Sequence, residues 1–436
     1  MSVTEGKLPK NSAEQASSGT ATKRVLIITY YWPPSGGGGV QRWLKFSKML
    51  PEHQWTPIVA TPLNPDVPVQ DTSLKSDICD EAEVWRFPIW EPSRFLNQLG
   101  VGNSSSRLGS DAGSRSSLLG RFVRWVRGNV FVPDARICWV KPTTKKLLRK
   151  LKRNPVDLIV TTGPPHSVHL IGLALKRATG LPWMADFRDP WSTMDYLSDF
   201  QLSRRTKKAI QDMERKVVDV ADRIVVTSPS ALRELGVKDK RQGAVVPNGW
   251  DRNDFPPSAQ TRAARKTPVL GHFGALYGAR NPVNLWAALA QSPWSFRAGG
   301  PISESVLQEI EASKVPFTWH GNLPHQEAVK AMLECDALLI VHNDSLSARA
   351  SVPGKIFECL ATGLPLLVIG PNGSDLKDMC NQWGLTFVAH GDGDAKTKLA
   401  AWLKNPTAAP AESIRSSFER HSLTTELSEL FNTMIS

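Results

Sequence analysis

The chain of 436 residues is too long for a single ordinary core and fits two domains of α/β size. Its 41% hydrophobic and 22% charged residues exclude a disordered or fibrous protein, and no run of about 18 apolar residues offers a membrane span. The five scattered cysteines, without a C-x-x-C pair, exclude a disulfide framework and a zinc site, whereas the formal charge of +12 makes nucleic acid, an acidic substrate and an anionic membrane surface candidate partners.

Positions 1–22 are polar and lack the apolar centre of a signal peptide, so they read as a disordered tail on a protein that stays inside the cell. Beyond them, short apolar runs alternate with helical patterns, the signature of parallel βαβ units. Strands are expected at 25–29, 56–60, 84–87, 157–161, 183–186, 222–227 and 244–247. After a polar linker at 256–266 they resume at 269–273, 296–298, 317–320, 337–342, 364–369 and 386–389. The expected architecture is α/β: a Rossmann-like, doubly wound parallel-sheet domain over 23–255, a second over 267–416 facing it across a cleft, and a C-terminal helix over 417–436 returning toward the first. No short-period internal repeat points to a solenoid.

The positive charge is local. Positions 101–160 hold 13 Lys or Arg against three Asp, a net +10. Within this region 100–117 is rich in Gly and Ser and reads as a mobile insertion. The following stretch LLGRFVRWVR, 118–127, places Leu118, Leu119, Phe122, Val123, Trp125 and Val126 on one arc of a helix and Arg121, Arg124 and Arg127 on the other. The same wheel suits a helix packed on its domain with arginines in solvent and a helix lying on an anionic membrane surface. Nucleic-acid binding is disfavoured, because the basic region lacks interleaved aromatics and any RNA-module motif.

Ligands of open α/β sheets bind beyond the carboxyl ends of the strands, so chemistry is sought there. After the first strand comes YYWPPSGGGGV, residues 30–40. Its glycines allow positive φ and close backbone approach in front of a helix N-terminus, where a phosphate or a sugar can sit. They are not a dinucleotide fingerprint, since Gln41 or Arg42 occupies the third glycine position of G-x-G-x-x-G. Later strand ends carry GPPHSVHL with His166, ADFRDPW with Asp186, Arg188 and Asp189, GALYGARNP with Arg280, GNLP with Asn322, and HNDSLSARASVPGKIFECLATGLP.

This last stretch, with GPPHSVHL, ADFRDPW and VVPNGWDRNDF in order, resembles the retaining glycosyltransferases of family four (glycosyl transferase group 1), which have the two-domain GT-B fold. The resemblance runs from Lys23 to the C-terminus and implies a nucleotide diphosphate-sugar donor and a glycan or lipid-linked acceptor, with no metal or other cofactor. It places Gly38 and Gly39 beside the donor phosphates and the acceptor, and Arg280, Asn322, Gly354, Lys355 and Glu358 at the donor. Glu358 matches the second Glu of Glu-x7-Glu and would hold the ribose diol, with Arg280 and Lys355 on the diphosphate. Ala350 stands where the first Glu is usual and Ala275 where an Arg is usual. His166 matches the histidine that lines the transferred sugar, and Asp186 is its expected catalytic companion, although this carboxylate could equally pair with Arg188. His169 reads as structural, and Asp189 is a second carboxylate able to reach sugar hydroxyls.

Asp392-Gly393-Asp394 carries the metal signature of another glycosyltransferase fold, but a turn with a helix cap explains it. The expected function is hexosyl transfer with retention, without metal, in cell-surface polysaccharide synthesis by a cytoplasmic protein, peripheral on the inner face of the membrane if 118–127 touches it. The alternatives are a non-catalytic nucleotide-sugar-binding protein, suggested by Ala350 and Ala275, and a GT-B sugar-nucleotide epimerase.

Overall fold

A computed structural model describes residues 22–67, 69–91, 125–194, 197, 200–239, 241–255 and 267–436. The expected tail, the insertion at 100–117, the linker at 256–266 and positions 118–124 of the basic stretch lie outside the described residues apart from position 22.

All thirteen expected strands are present, with ends displaced by no more than two residues. The first seven are β1 (Lys23–Thr29), β2 (Trp55–Pro62), β3 (Glu83–Phe87), β4 (Leu158–Gly163), β5 (Trp183–Phe187), β6 (Arg223–Val226) and β7 (Gly243–Val245). They form one parallel sheet in the order β3-β2-β1-β4-β5-β6-β7. The other six are β8 (Val269–Phe273), β9 (Ser295–Gly299), β10 (Phe317–Trp319), β11 (Ala337–Val341), β12 (Leu366–Gly370) and β13 (Thr386–Ala389). Their order, β10-β9-β8-β11-β12-β13, repeats the same winding, again wholly parallel.

Both sheets are covered on both faces, which is why their strands read as continuous apolar runs. Alternate residues of β1 enter opposite cores: Leu26 and Ile28 on one face, Val25 and Ile27 on the other. The order of strands reverses between β1 and β4 and again between β8 and β11. Loops leaving these four strands part to opposite sides and open a crevice at each switch point.

The helix Arg420–Ile435 lies on the first domain, its Leu423, Leu427 and Phe431 buried with Val25, Ile27, Trp43 and Trp55. The chain reaches it through backbone bonds that tie Trp250 to the segment before the helix: Trp250 N–H donates to Phe418 O (3.0 Å) and Arg420 N–H to Trp250 O (2.7 Å). Among the described residues no helix is long and apolar enough to cross a membrane.

Because Phe431 is fully buried and stacks edge-on against Trp55 with centroids 5.2 Å apart, Phe431→Ala should lower stability by about 3–5 kcal/mol. Glu429→Ala, on the exposed face of the same helix, should change it by less than about 0.5 kcal/mol in the same denaturant titration.

Candidate active site between the two switch points

The glycine loop is fixed at its base and open at its tip. Gly36 N–H donates to Val69 O (2.9 Å), and a Cβ there would lie 3.0 Å from the Val69 side chain. Gly37 has φ 87°, so any other residue would be strained. A Cβ on Gly39 would meet the Tyr31 ring at 3.2 Å, whereas nothing lies within 4 Å of one on Gly37 or Gly38. Gly38 therefore begins the helix Gly38–Met49 with its backbone beside free space, while Gly39 is packed under Tyr31.

Two arginines hold this loop to its neighbours. Arg188 bridges switch-point loops, donating from Nη1 to Gly39 O (2.8 Å), from Nε to Gly163 O (2.9 Å) and from Nη2 to Pro164 O (2.8 Å). Arg42 is buried and ion-pairs with Asp186 at 2.9 Å, while its Nη1 and Nη2 also donate to Pro247 O (2.8 Å) and Val246 O (2.9 Å).

Asp186 is 0% exposed and also accepts from Trp43 Nε1 (2.6 Å) and Thr162 Oγ1 (2.8 Å). Burial alone would raise its pKa, but the Arg42 charge and these donors outweigh it and hold the carboxylate below its ordinary value. The expectation that Asp186 meets the sugar is thus corrected: it has no face open to a ligand, and its partner is Arg42, not Arg188. Asp189 is only half-buried, and burial together with the nearby Asp186 charge raises its pKa despite Arg188.

His166 is 2% exposed, stacked on Trp191 at 5.2 Å, and neither ring nitrogen has a hydrogen-bond partner. Burial, then the influence of His169 and Arg188, drives its pKa well below 6.5, so the imidazole is neutral. One nitrogen can donate and the other accept. His169, by contrast, is engaged: its Nδ1 lies 2.8 Å from Thr161 Oγ1 and its ring stacks on Phe187 at 4.4 Å.

On the second domain, Lys355 and Glu358 open the helix Lys355–Ala361 and pair at 2.7 Å through Glu358 Oε2. Burial disfavours the Lys355 charge, but Glu358 more than compensates, and the ammonium's pKa is raised. Arg280 is oriented by Asn343 Oδ1, which also accepts from Tyr277 OH (2.9 Å), and its guanidinium lies 5.3 Å from the Tyr277 ring centre. Gly354 faces Asn248 of the first domain, 3.6 Å from a would-be Cβ. Asn322 is exposed in the loop after β10. Ala350 is buried, and its carbonyl accepts from Ser228 Oγ across the domains (2.6 Å). Asp392 accepts from Asp394 N–H (3.0 Å) and pairs with Lys398 (2.6 Å), the arrangement of a turn.

A buried charge cluster absent from the sequence reading joins the domains beside Glu358. Lys45 contacts Asp77 (3.0 Å), Asp251 (2.8 Å) and Asp254 (3.0 Å). Asp254 Oδ2 lies 3.2 Å from His325 Nε2, and His325 Nδ1 lies 4.0 Å from Glu358 Oε2. The sequence signal was faint: two aspartates in WDRNDF and a histidine opening the helix His325–Leu333.

Residues 37–249, just under half of the chain, match the family model described as "Glycosyl transferase 4-like domain". Three solved structures superpose over nearly their whole length. Sucrose-phosphate synthase from Thermosynechococcus elongatus has 14% identity and a TM-score of 0.63, covering 94% of this chain and 98% of its own. HepE from Anabaena, in complex with UDP and glucose, has 15% identity and a TM-score of 0.60, covering 94% and 99%. The lipopolysaccharide outer core galactosyltransferase WaaB has 12% identity and a TM-score of 0.58, also covering 94% and 99%. The fold is GT-B. No curated protein sequence matches this chain.

Two outcomes test the site's construction. Asp186→Asn leaves Arg42 buried without its counter-charge and should cost about 3–5 kcal/mol in chemical denaturation, whereas Asp189→Asn should leave stability within about 1 kcal/mol. His325 has its pKa raised: burial opposes the charge, but Asp254 and Glu358 overcome it. The stabilisation is therefore complete below the ordinary value of 6.5 and is lost as pH rises through the higher folded-state value. Thermal melts should show wild type exceeding His325→Gln most at acid pH, with the gap narrowing once the imidazole is neutral; a gap constant with pH would remove His325 from the cluster's charge balance.

Proposed function

We propose that the protein is a retaining glycosyltransferase that moves a hexosyl group from a nucleotide diphosphate-sugar to a hydroxyl of a glycan or lipid-linked acceptor, in cell-surface polysaccharide synthesis. The observations that support this reading are an open glycine tip and a neutral His166 without a hydrogen-bond partner, on first-domain loops that Arg188 ties together, and the Lys355–Glu358 pair of the second domain, which His325 links to first-domain Asp254. The family match over the first domain supports it, as does a fold relative that holds UDP and glucose.

The nucleotide occupies the second domain. Glu358 Oε1, not engaged by Lys355 or His325, accepts from the ribose diol, and Lys355 and Arg280 face the diphosphate. As the glycosidic bond breaks, negative charge grows on the leaving diphosphate, and these two cations stabilise it without a metal. His166 hydrogen-bonds a hydroxyl of the transferred sugar. Gly38 and Gly39 let donor and acceptor approach, and the acceptor attacks from the face the diphosphate leaves, which retains configuration. Asp186 acts as a positioning residue, and Asp189 is the carboxylate available to a hydroxyl. A cytoplasmic site, peripheral on the membrane's inner face, suits a lipid-linked acceptor.

A second reading, a nucleotide-sugar-binding protein without catalysis, is favoured by Ala350 and Ala275, which remove two side chains that usually grip the donor in the family resembled. Incubation with a panel of UDP- and GDP-sugars separates the two, since a transferase hydrolyses or transfers slowly and a binding protein does neither. For the proposed site, Glu358→Ala should weaken UDP or GDP binding by about 1.5–3 kcal/mol in calorimetry, through loss of charged hydrogen bonds. Lys355→Ala and Arg280→Ala should slow turnover more than they disturb folding. Unchanged nucleotide affinity in folded Glu358→Ala would remove that residue from the site, and loss of turnover on chelation would restore a metal to the mechanism.

A further inference from the structure

The helix Ile137–Leu151 presents a surface that the transferase reading does not use. Its buried stripe is Trp139, Thr143, Leu147 and Leu151. On its outer side runs a groove of about 420 Å³ with Val140, Thr144, Leu148 and Ala174 as its floor and Lys141, Lys145, Arg149 and Lys152 along its rim. All four rim cations are exposed, as are Lys146 and Arg153. Between positions 137 and 154 there are seven Lys or Arg and no acid. Only Lys150 on the opposite flank has a carboxylate partner among the described residues, Glu83 at 4.0 Å.

Like charges four residues apart destabilise a helix, and soluble surfaces ordinarily intersperse the two signs. A single-sign stripe is therefore a standing cost unless a polyanion neutralises it. The apolar floor narrows the class. A nucleic acid would call for stacking aromatics or free polar groups there, whereas Val140, Leu148 and Ala174 are aliphatic and Thr144 donates its hydroxyl to Val140 O (2.8 Å). Cations above aliphatic carbon match the boundary between lipid headgroups and acyl chains, where lysine and arginine stems lie along the apolar layer with their charges among the phosphates. The cation-rimmed helix also starts at the candidate site: Asp134, three residues before it, accepts from Ser167 N–H and Oγ, both at 2.8 Å, at the start of the His166 helix.

We propose that this outer face of the first domain seats on an anionic lipid bilayer through Lys141, Lys145, Arg149 and Lys152. The contact differs from the 118–127 stretch, and it does not rest on the transferase reading. It would hold the rim of the His166 loop near the membrane plane.

The test is co-sedimentation of the full chain at low salt with vesicles of phosphatidylcholine, with vesicles of equal parts phosphatidylcholine and phosphatidylglycerol, and binding to a short duplex DNA as a polyanion without acyl chains. Wild type should bind the anionic vesicles alone and be released as salt shortens the Debye length. Each charge removed should reduce partitioning roughly five-fold, so the combined K141Q, K145Q, R149Q and K152Q variant should lose it several-hundred-fold. A control removes the same charge elsewhere, from exposed Arg204, Arg205, Lys207 and Lys208 as Gln, and should keep most of the binding. Failure of wild type to bind anionic vesicles, equal loss in both folded variants, or tighter binding to DNA than to vesicles would each overturn the proposal. Calorimetry with UDP or GDP on the same proteins reads the donor site separately, so loss there would speak against the transferase and not against the membrane face.

Discussion

The guanidinium of Arg42 and the carboxylate of Asp186 sit together out of water, and four strand ends take their positions from that pair. Arg42 belongs to the helix that follows the glycine loop, Asp186 to β5, Thr162 to β4, and the carbonyls of Val246 and Pro247 to the exit of β7. Removing two charges from water costs several kcal/mol per ion, and only near-complete hydrogen bonding offsets it. Here the carboxylate accepts from Arg42, Trp43 and Thr162, and the guanidinium spends its remaining donors on backbone oxygens. Such a network tolerates little displacement, because any gap leaves a buried charge short of a partner. Arg188 repeats the device, drawing the glycine loop and the His166 loop together through three carbonyls. This end of the first-domain sheet is thus built around cations that face inward, beside an exposed glycine tip and a buried, neutral imidazole.

The fold was legible because both sheets are parallel and covered on both faces. A strand such as β11, ALLIV, is apolar at every position, and the helices between strands carry the other period, so element type and order could be read directly. The site was legible only in part. Strand-end reasoning singles out residues near the switch points, His166, Arg280, Lys355 and Glu358 among them. It does not say which side chain turns outward. Asp186 and Asp189 are three residues apart in one motif, yet one is sealed in the Arg42 pair and the other half-buried with a raised pKa. Arg42 was visible as the residue that breaks the dinucleotide fingerprint, but its pairing with Asp186 spans 144 positions and is a tertiary fact.

The same limit applies between domains. Lys45, Asp251, Asp254 and His325 come from three separated segments, and no local pattern marks them as one cluster. Their arrangement matters because Glu358 stands at its end. This carboxylate shares one oxygen between Lys355 and the approach of His325, so its orientation depends on the first domain, through Asp254, as well as on the second. Contacts at Ser228 with Ala350, and at Ser230 with Asp375, add direct hydrogen bonds across the same boundary. Domain position and the orientation of Glu358 are consequently linked through named side chains.

His166 gives this linkage a chemical direction. A buried polar group without a partner carries a penalty of about 1–3 kcal/mol, and both nitrogens of this ring are unpaired while the ring itself is fixed by stacking on Trp191. Water-like groups that both donate and accept relieve that penalty, and a sugar hydroxyl is such a group. An apolar substituent would not relieve it, so under the proposed reading the His166 ring favours a hydroxyl over an apolar group. The neutral state of the ring is essential to this, since a protonated imidazole could only donate. Burial, which by itself disfavours the charge, is therefore what keeps the His166 ring able both to donate and to accept, as the proposed reading requires.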